Sequence, residues 1–579
     1  MGRKDLAQAL EEIGELLELK GENPFKVKAY SQAARAVLRL EEDPAELAAR
    51  GELIGVKGIG KALSEKITEY VKTGRIAYLE ELRSAYPASL FELFRLKGLG
   101  AKKIKTLYED LRVASLGELE YACLENRLAQ LKGFGPKSQD NVLASIATLK
   151  KYRGRFLWSE AEGPILQLIQ ALSRLPGVAR VEAAGEFRRL CETVAEAALV
   201  AGCDRPERLA ESLKALPEVE KIEPAGPGEW LLTHGFGLKV RLAAVPGKDF
   251  VRLWHWLTGS EAHLADLNKH AAGLGWTPAD HGWRDPRGRA VDVSDEPALY
   301  AALGLPFIPP ELREGLGEVE AAAAGELPQL IELGDVQGVF HVHSGYSDGG
   351  LTLPEIVAAC QKLGYAYVGL SDHSRTAQYA GGMSLEDLDR QRAEVEALRA
   401  ARPDFEIFWG VESDILPDGS LDYPDEVLAR FDFVIASVHS NFTLPEARQT
   451  ERLVAAVRNP YTTILGHMTG RLLLAREPYR FDAAAVLEAA AESGAALEIN
   501  ANPHRLDLDW REMRRAKALG LKTMIDPDAH AVEGLADVRY GVQIARKGWL
   551  TRADALNALT AAEMRGFLEQ RRKKQGNDG

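Results

Sequence analysis

The sequence predicts a multidomain protein with an α-helical front and a C-terminal barrel of βα units. Three observations carry this expectation. The chain has 579 residues, too many for one hydrophobic core. Beyond residue 335, apolar runs alternate with helix-like Ala/Leu/Glu/Arg stretches about every 30 residues, the pattern of parallel strands joined by helices. Before residue 150, three Gly-apolar-Gly phrases each lead into a Lys-bearing helical stretch.

Those phrases are Ile54-Gly-Val-Lys57-Gly58-Ile59-Gly60, Leu96-Lys97-Gly98-Leu99-Gly100 and Leu131-Lys132-Gly133-Phe134-Gly135, spaced by 40 and 35 residues. Each glycine pair permits a tight hairpin whose N–H groups stand clear at the next helix's start, where the helix dipole favours a phosphate. One copy can be a mere corner between packed helices; three copies favour phosphate binding. They resemble helix-hairpin-helix motifs, which bind DNA backbone without reading bases. Gly58, Gly60, Gly98, Gly100, Gly133 and Gly135, with Lys61 and Lys102, are the candidate DNA contacts. The continuation Lys61-Ala-Leu-Ser-Glu65-Lys66-Ile67 resembles the amino-terminal lyase domain of family X DNA polymerases. The resemblance implies Lys66 as the amine that forms a Schiff base with an abasic-site sugar; a solvated helix lysine is the competing reading. The front thus divides into a lyase-like domain, 1–80, and a fingers-like domain, 81–155, both of helix-hairpin-helix type.

The resemblance continues through 156–250, as an α/β nucleotidyltransferase-like palm, and 251–317, as a thumb. Gly185-Glu186-Phe187-Arg188-Arg189, followed by Glu192-Thr193-Val194, is similar to the family's Gly-Ser-x-Arg-Arg segment. Leu257-Thr258-Gly259-Ser260 is similar to its thumb motif, and Tyr300–Arg313 to the closing segment of bacterial members. This implies nucleotide contacts at Gly185, Arg188, Arg189 and Gly259, with Mg²⁺ or Mn²⁺ in the palm. The chemistry departs from the family. Phosphoryl transfer to a DNA end needs two metals on three carboxylates, two from Asp-x-Asp and one from the adjacent strand. Those positions hold Glu196, Ala198 and Arg241, and Glu186 replaces the Ser that meets the triphosphate. The palm is expected to keep its fold and lose most or all nucleotidyl transfer. The alternative is a Mn-dependent gap-filling polymerase whose rearranged site uses Glu192, Glu196 or Asp204. The Ala/Glu-rich stretch Glu318–Glu326 opens an expected linker at 318–334.

In the last block, 335–579, the apolar runs end in metal-type residues. The first delivers His341 and His343, which point the same way in an extended chain and can reach one ion; Asp348 follows on a Gly-rich turn. Later runs lead into Ser371-Asp372-His373, Val411-Glu412, Ser437-Val438-His439, Gly466-His467, Asn500-Ala501-Asn502 and Asp526-Pro527-Asp528-Ala529-His530. The C-terminal ends of barrel strands are where such folds keep their active sites. Of 12 histidines, seven lie in this block and six of those at strand ends, a phasing that scattered core histidines would lack. The block resembles the PHP (polymerase and histidinol phosphatase) family. The resemblance implies a distorted (β/α)7 barrel holding up to three divalent ions on His341, His343, Asp348, His373, Glu412, His439, His467, Asp528 and His530. Mixed His and carboxylate ligands suit Mn²⁺ or Zn²⁺ better than Mg²⁺. Val339, Met468 and Pro527 depart from the family beside the ligands and remove none of them.

At 46% apolar and 27% charged, the composition is that of a soluble globular chain, and no apolar run approaches the ~20 residues of a membrane span. Four scattered cysteines fit reduced thiols in cytoplasm. The polar tail 571–579 is expected to fray. The net charge of −13 divides unevenly: residues 1–150 carry 24 Lys plus Arg against 22 Asp plus Glu, the rest 48 against 63. Overall charge therefore decides nothing about DNA. The expectation is a cytoplasmic, nucleoid-associated monomer of DNA repair. It acts on gapped, nicked or damaged DNA, with dNTP as a further ligand, through a PHP centre working as 3′–5′ exonuclease, abasic-site endonuclease or 3′-phosphatase. A non-catalytic DNA-end binding module is the remaining alternative, against which the complete ligand set speaks.

Overall fold

The computed structural model describes residues 3–575 apart from positions 39, 41, 97, 151–153 and 236. Lys97 of the second glycine phrase and the tail 576–579 lie outside the described residues. The chain divides into two compact units, Met1–Ala147 and Thr148–Gly579.

The first unit is helical. Helix Arg3–Lys20 buries Leu6, Leu10, Ile13 and Leu17, a stripe at helical period, and packs on helix Pro24–Leu38. The glycine phrases directly precede helices Lys61–Thr73, Ala101–Asp110 and Pro136–Lys150.

The second unit begins with a five-stranded sheet. Its strands are β1 (Val178–Ala184), β2 (Glu196–Cys203), β3 (Val219–Gly226), β4 (Glu229–His234) and β5 (Lys239–Val245), in the order β1-β2-β5-β4-β3. β2 and β5 are parallel, with Glu196 opposite Lys239 and Ala198 opposite Arg241. Helix Trp158–Ser173 packs on the sheet through Trp158, Ala161, Ile165, Leu168 and Leu172. Helices Phe250–Thr258, Glu261–Gly273 and Glu296–Ala302 follow, with a core that includes Leu267, Trp283, Leu299, Tyr300 and Leu312. The stretch expected as a linker is instead part of that core. Glu318–Ala324 is a helix, and Glu318 is fully buried, accepting from His263 Nδ1 at 2.7 Å and from the N–H groups of Gly315 and Leu316 at 2.9 and 2.7 Å. Three donors on one carboxylate hold what composition suggested would be loose.

Seven parallel strands then follow in sequence order: β6 (Gly338–Val342), β7 (Tyr367–Leu370), β8 (Glu406–Asp414), β9 (Phe433–Ser437), β10 (Ile464–Leu465), β11 (Ala496–Asn500) and β12 (Thr523–Asp526). His343 N–H donates to Ala529 O at 2.9 Å and Ala529 N–H to His341 O at 3.2 Å, so the chain after β12 returns to β6 and the barrel is nearly closed. Across the same seam Asn557 accepts from Ile525 N–H at 2.6 Å and donates to Gly338 O and Ile525 O at 3.1 and 2.8 Å. Strands buried on both faces explain why they read as continuous apolar runs without alternation. Phe340, Tyr367, Phe408 and Phe433 fill one core cluster together with Met564 and Leu568 of helix Ala561–Gln575. A Cβ at Gly369 or Gly410 would collide with the ring of Phe340 or Phe433. Within the tail expected to fray, Arg571 is held in place, donating to Thr462 O at 2.6 Å and to Gly494 O. Among the described residues no helix is long and apolar enough to cross a membrane.

Candidate metal centre

The nine residues singled out at strand ends converge on one buried locus. His341 and His343 leave β6, His373 follows β7, Glu412 lies in β8, and His439 and His467 follow β9 and β10. Asp528 and His530 follow β12, and Asp348 comes from the turn after β6. Ligand-type atoms group as His341, Glu412 and His467; as His341, His343 and Asp528; as His343, Asp348, His373 and His530; and as His373, Glu412 and His439, with all atoms of a group within 4.8 Å of one another. Glu412 is central, with His439 Nε2 at 3.1 Å, His467 Nε2 at 3.0 Å, His341 Nε2 at 3.2 Å and His373 Nδ1 at 2.9 Å. Burial pushes the Glu412 carboxyl up, but the imidazoles of His439, His341 and His373 outweigh it and hold it well below the ordinary range.

These residues suit divalent cations. His341 Nε2, both ring nitrogens of His343 and of His373, and Glu412 Oε2 are buried without a hydrogen bond. Buried polar atoms left in this state are costly unless a cation satisfies them. The backbone is also unusual: His341, His467 and Asp528 have φ of +54°, +21° and +51°. Such conformations cost of order 1–3 kcal/mol each and persist where the surroundings impose them, which is typical of functional sites.

Neighbouring groups that sequence reasoning passed over fix the ligands. His341 Nδ1 donates to Glu498 of β11, and His439 Nδ1 donates to Asp414 Oδ1 at 2.6 Å. Asp372 accepts from Ser344 N–H at 2.8 Å, Ser344 Oγ at 2.6 Å, Ser347 Oγ at 2.5 Å and Gln391 Nε2 at 2.6 Å, tying down the turn that carries Asp348. A signal did exist: Asp414 lies two residues from Glu412, and Glu498 two from Asn500, hence on the same strand faces. β11 was read as a strand ending in Asn without a ligand; its contribution is to hold the ligands of others.

The palm residues expected to meet a nucleotide do gather, where palm and thumb join, but are otherwise engaged. Arg188 donates to Thr258 Oγ1 at 2.8 Å and Glu296 Oε1 at 3.1 Å, and Arg189 to Glu314 Oε1 at 3.1 Å and Thr258 O. Gly185 packs at Ala198 and Gly259 at Arg189. This departs from the expected phosphate-facing role, because carboxylates of the thumb, buried Glu296 and partly exposed Glu314, claim both guanidinia. Glu186 accepts from Ala195 N–H at 3.0 Å. Glu196 pairs with Arg241 at 2.8 Å. Glu192 reaches instead to Arg471 and Arg511, and Asp204 follows the far end of β2, roughly 25 Å of extended chain from Glu196. Neither Glu192 nor Asp204 therefore joins Glu196 in one site.

In the helical unit the three glycine turns share one geometry. Gly58, Gly98 and Gly133 have φ of +98°, +89° and +92°. Ile59, Leu99 and Phe134 close the turns by donating to Val56 O, Leu96 O and Leu131 O at 2.9, 3.2 and 3.0 Å. Gly60, Gly100 and Gly135 then accept from the first turns of the helices that follow. Lys61 and Lys102 are exposed at those starts. Lys66 is half-buried, its Nζ 5.0 Å from the Tyr78 ring centroid.

Four family models match the chain: a helix-hairpin-helix domain at residues 1–76, a SAM-like helix-hairpin-helix tandem at 50–114, a DNA polymerase beta thumb at 253–314 and a PHP domain at 340–502. The chain is 37% identical to the DNA polymerase/3′-5′ exonuclease PolX of Bacillus subtilis (strain 168) over 573 residues, covering 98% of this chain and 100% of that protein. Probable phosphatases of Thermoanaerobacter sp. (strain X514) and Caldanaerobacter subterraneus are 28% and 29% identical over 183 and 181 residues, 30% of this chain in each case and 72% and 68% of those proteins. The helical unit and thumb are thus DNA-binding modules and the barrel a metal-binding phosphoesterase domain. With a relative matched from end to end, the chain belongs to the bacterial family X DNA polymerases that carry a C-terminal PHP domain.

Proposed function

We propose that the chain is a DNA-repair enzyme whose working centre is the barrel, acting as a metal-dependent nuclease or phosphatase on DNA ends and abasic sites. The observation that carries this is the meeting of nine His, Asp and Glu side chains, Glu412 among them, with buried ring nitrogens left for cations. His341, His343, Asp348, His373, Glu412, His439, His467, Asp528 and His530 would hold up to three ions, Mn²⁺ or Zn²⁺ by ligand type. When bound, such ions supply Lewis-acid charge to a phosphate and acidify the attacking water. The chain's own part is to fix that geometry. Glu412 offers its two oxygens to different groups of histidines, Glu498 and Asp414 orient His341 and His439, and Asp372 holds the Asp348 turn. The glycine turns bring phosphate backbones to helix starts without reading bases, which suits damaged DNA of any sequence.

The palm serves as scaffold, with nucleotidyl transfer weak or absent, because Arg241 neutralises Glu196 and the thumb carboxylates hold Arg188 and Arg189. A gap-filling polymerase is the second reading, favoured by the name of the Bacillus relative, a DNA polymerase/3′-5′ exonuclease. One assay separates them: gapped DNA with Mn²⁺ and nucleotides, reading shortening and extension on the same gel. Shortening without extension is expected; extension alone overturns the proposal. The protein is further proposed to work as a cytoplasmic monomer.

A further inference from the structure

We infer that Glu192, a palm side chain, positions the metal centre of the barrel through Arg471; the inference rests on the barrel being the phosphoesterase centre proposed above. Glu192 lies between the Arg188-Arg189 segment and the short strand Thr193–Val194, and its side chain is 9% exposed. Its Oε1 stands 3.5 Å from Arg471 and 3.2 Å from Arg511, both on the barrel.

Arg471 follows His467 by four residues and is itself buried. Its guanidinium ties a second barrel loop, donating to Arg505 O at 3.0 Å, to Leu506 O, and to Asp509 Oδ2 at 2.6 Å. The same two loops are laced again where Thr469 donates from N–H and Oγ1 to Asp507 Oδ2, both at 2.9 Å. Each loop carries something the centre uses. The first holds His467. The second holds Arg505, 4% exposed, whose Nε lies 3.4 Å from Oδ2 of the candidate ligand Asp528.

Charge explains why the palm matters. Arg471 and Arg511 both bond Asp509, so without Glu192 the buried Arg471 shares that one carboxylate with Arg511, whose side chain is 56% exposed. Removing one partner of a buried ionic network leaves an uncompensated charge, and the loops relax to relieve it. A shift of even 1 Å at a ligand degrades the site. A palm that keeps one of the three carboxylates, and that one paired with Arg241, thus retains work: it braces the nuclease.

The test uses full-length, chelator-stripped protein, titrated calorimetrically with Mn²⁺, alongside kcat for DNA shortening and DNA affinity. Glu192→Gln is expected to weaken Mn²⁺ binding about ten-fold, with kcat falling in parallel and DNA affinity unchanged. Glu162→Gln is the control. Glu162 pairs with Arg539 across the same palm–barrel contact, but on helix Val538–Lys547 and neither loop, and this variant should match wild type. Glu192→Asp keeps the charge with a shorter reach and should fall between them; it carries the comparison if the Gln variant does not fold. Wild-type Mn²⁺ affinity in Glu192→Gln, or equal weakening in Glu162→Gln, overturns the inference. If wild-type protein binds Mn²⁺ yet cleaves no DNA, the phosphoesterase reading fails while the titration still decides the role of Glu192.

Discussion

Arg241 donates from Nε to Glu196 Oε1 at 2.8 Å, across two parallel strands of the palm. Both side chains are 39% exposed, so the pair adds about 0–1 kcal/mol of stability. Its consequence is chemical. A divalent ion approaching Glu196 must displace a guanidinium, and at about 4 Å each pair of like unit charges repels by roughly 1–4 kcal/mol between water and a surface-like dielectric.

Nucleotidyl transfer should therefore be at background. In full-length protein carrying His341→Ala and His343→Ala, so that no shortening masks synthesis, primer extension with Mg²⁺ should be undetectable. Arg241→Ala alone should not restore it, because Ala198 supplies no carboxylate. Robust extension that survives Glu196→Ala would show that other carboxylates hold the metals.

The same double substitution in the barrel should reduce shortening of DNA by more than about 100-fold, since it removes ligands outright where loss of a ligand's neighbour already costs 10–100-fold. DNA affinity should persist, because the glycine turns belong to a separate compact unit. Undiminished cleavage by the double mutant would refute the assignment of the centre.

Binding to DNA should fall steeply with salt and be indifferent to sequence. Gly98→Val and Gly133→Val place a β-branched residue at φ of +89° and +92°, a strain of roughly 1–2 kcal/mol, enough to weaken binding by about ten-fold if the turn opens. A salt titration of both variants against wild type checks this, and coincident curves would count against the turns as the contact.

Glu296 should be a stability hinge of the thumb. It is 2% exposed and accepts from Arg188 at 3.1 Å and from Arg313 at 2.7 Å. Burial raises its carboxyl, but Arg313 and Arg188 outweigh that and bring it down to about 2. A depressed carboxyl stabilises the fold above its unfolded value near 4.5, and this is lost as pH falls towards 2. Roughly 3 kcal/mol is at stake. Glu296→Gln should lower Tm at pH 7, and the gap between variant and wild type should close on acidification from about 4.5 to 2. A gap independent of pH would contradict the ionic origin.

Much of the barrel was legible because its chemistry is periodic. Parallel strands expose their C-terminal ends together, so His341, His343 and the ligands after the later runs were bound to meet, although His341, at φ of +54°, leaves the extended geometry that alternation assumes. The turn at Gly98 was legible for a similar reason, since its conformation is local and glycine permits it. Glu318 and Arg571 were misread because composition reports average solvation. A carboxylate given three donors, or a guanidinium given two carbonyls, is held whatever its neighbours are.

The chain's order of residues thus determined the helical front, the seven-stranded barrel, the candidate ligands and the loss of the palm's carboxylate triad, since each depends on local pattern or on residue type at a motif position. Tertiary structure alone decided who partners whom. Arg188 and Arg189 are separated from Glu296 and Glu314 by more than 100 residues, and Glu192 from Arg471 by 279. Ionic pairing is set by distance in space and by burial, and neither is encoded in the spacing along a chain. For that reason the sequence could say that the palm had lost most of its metal ligands, while the fold was needed to show what its remaining charges hold.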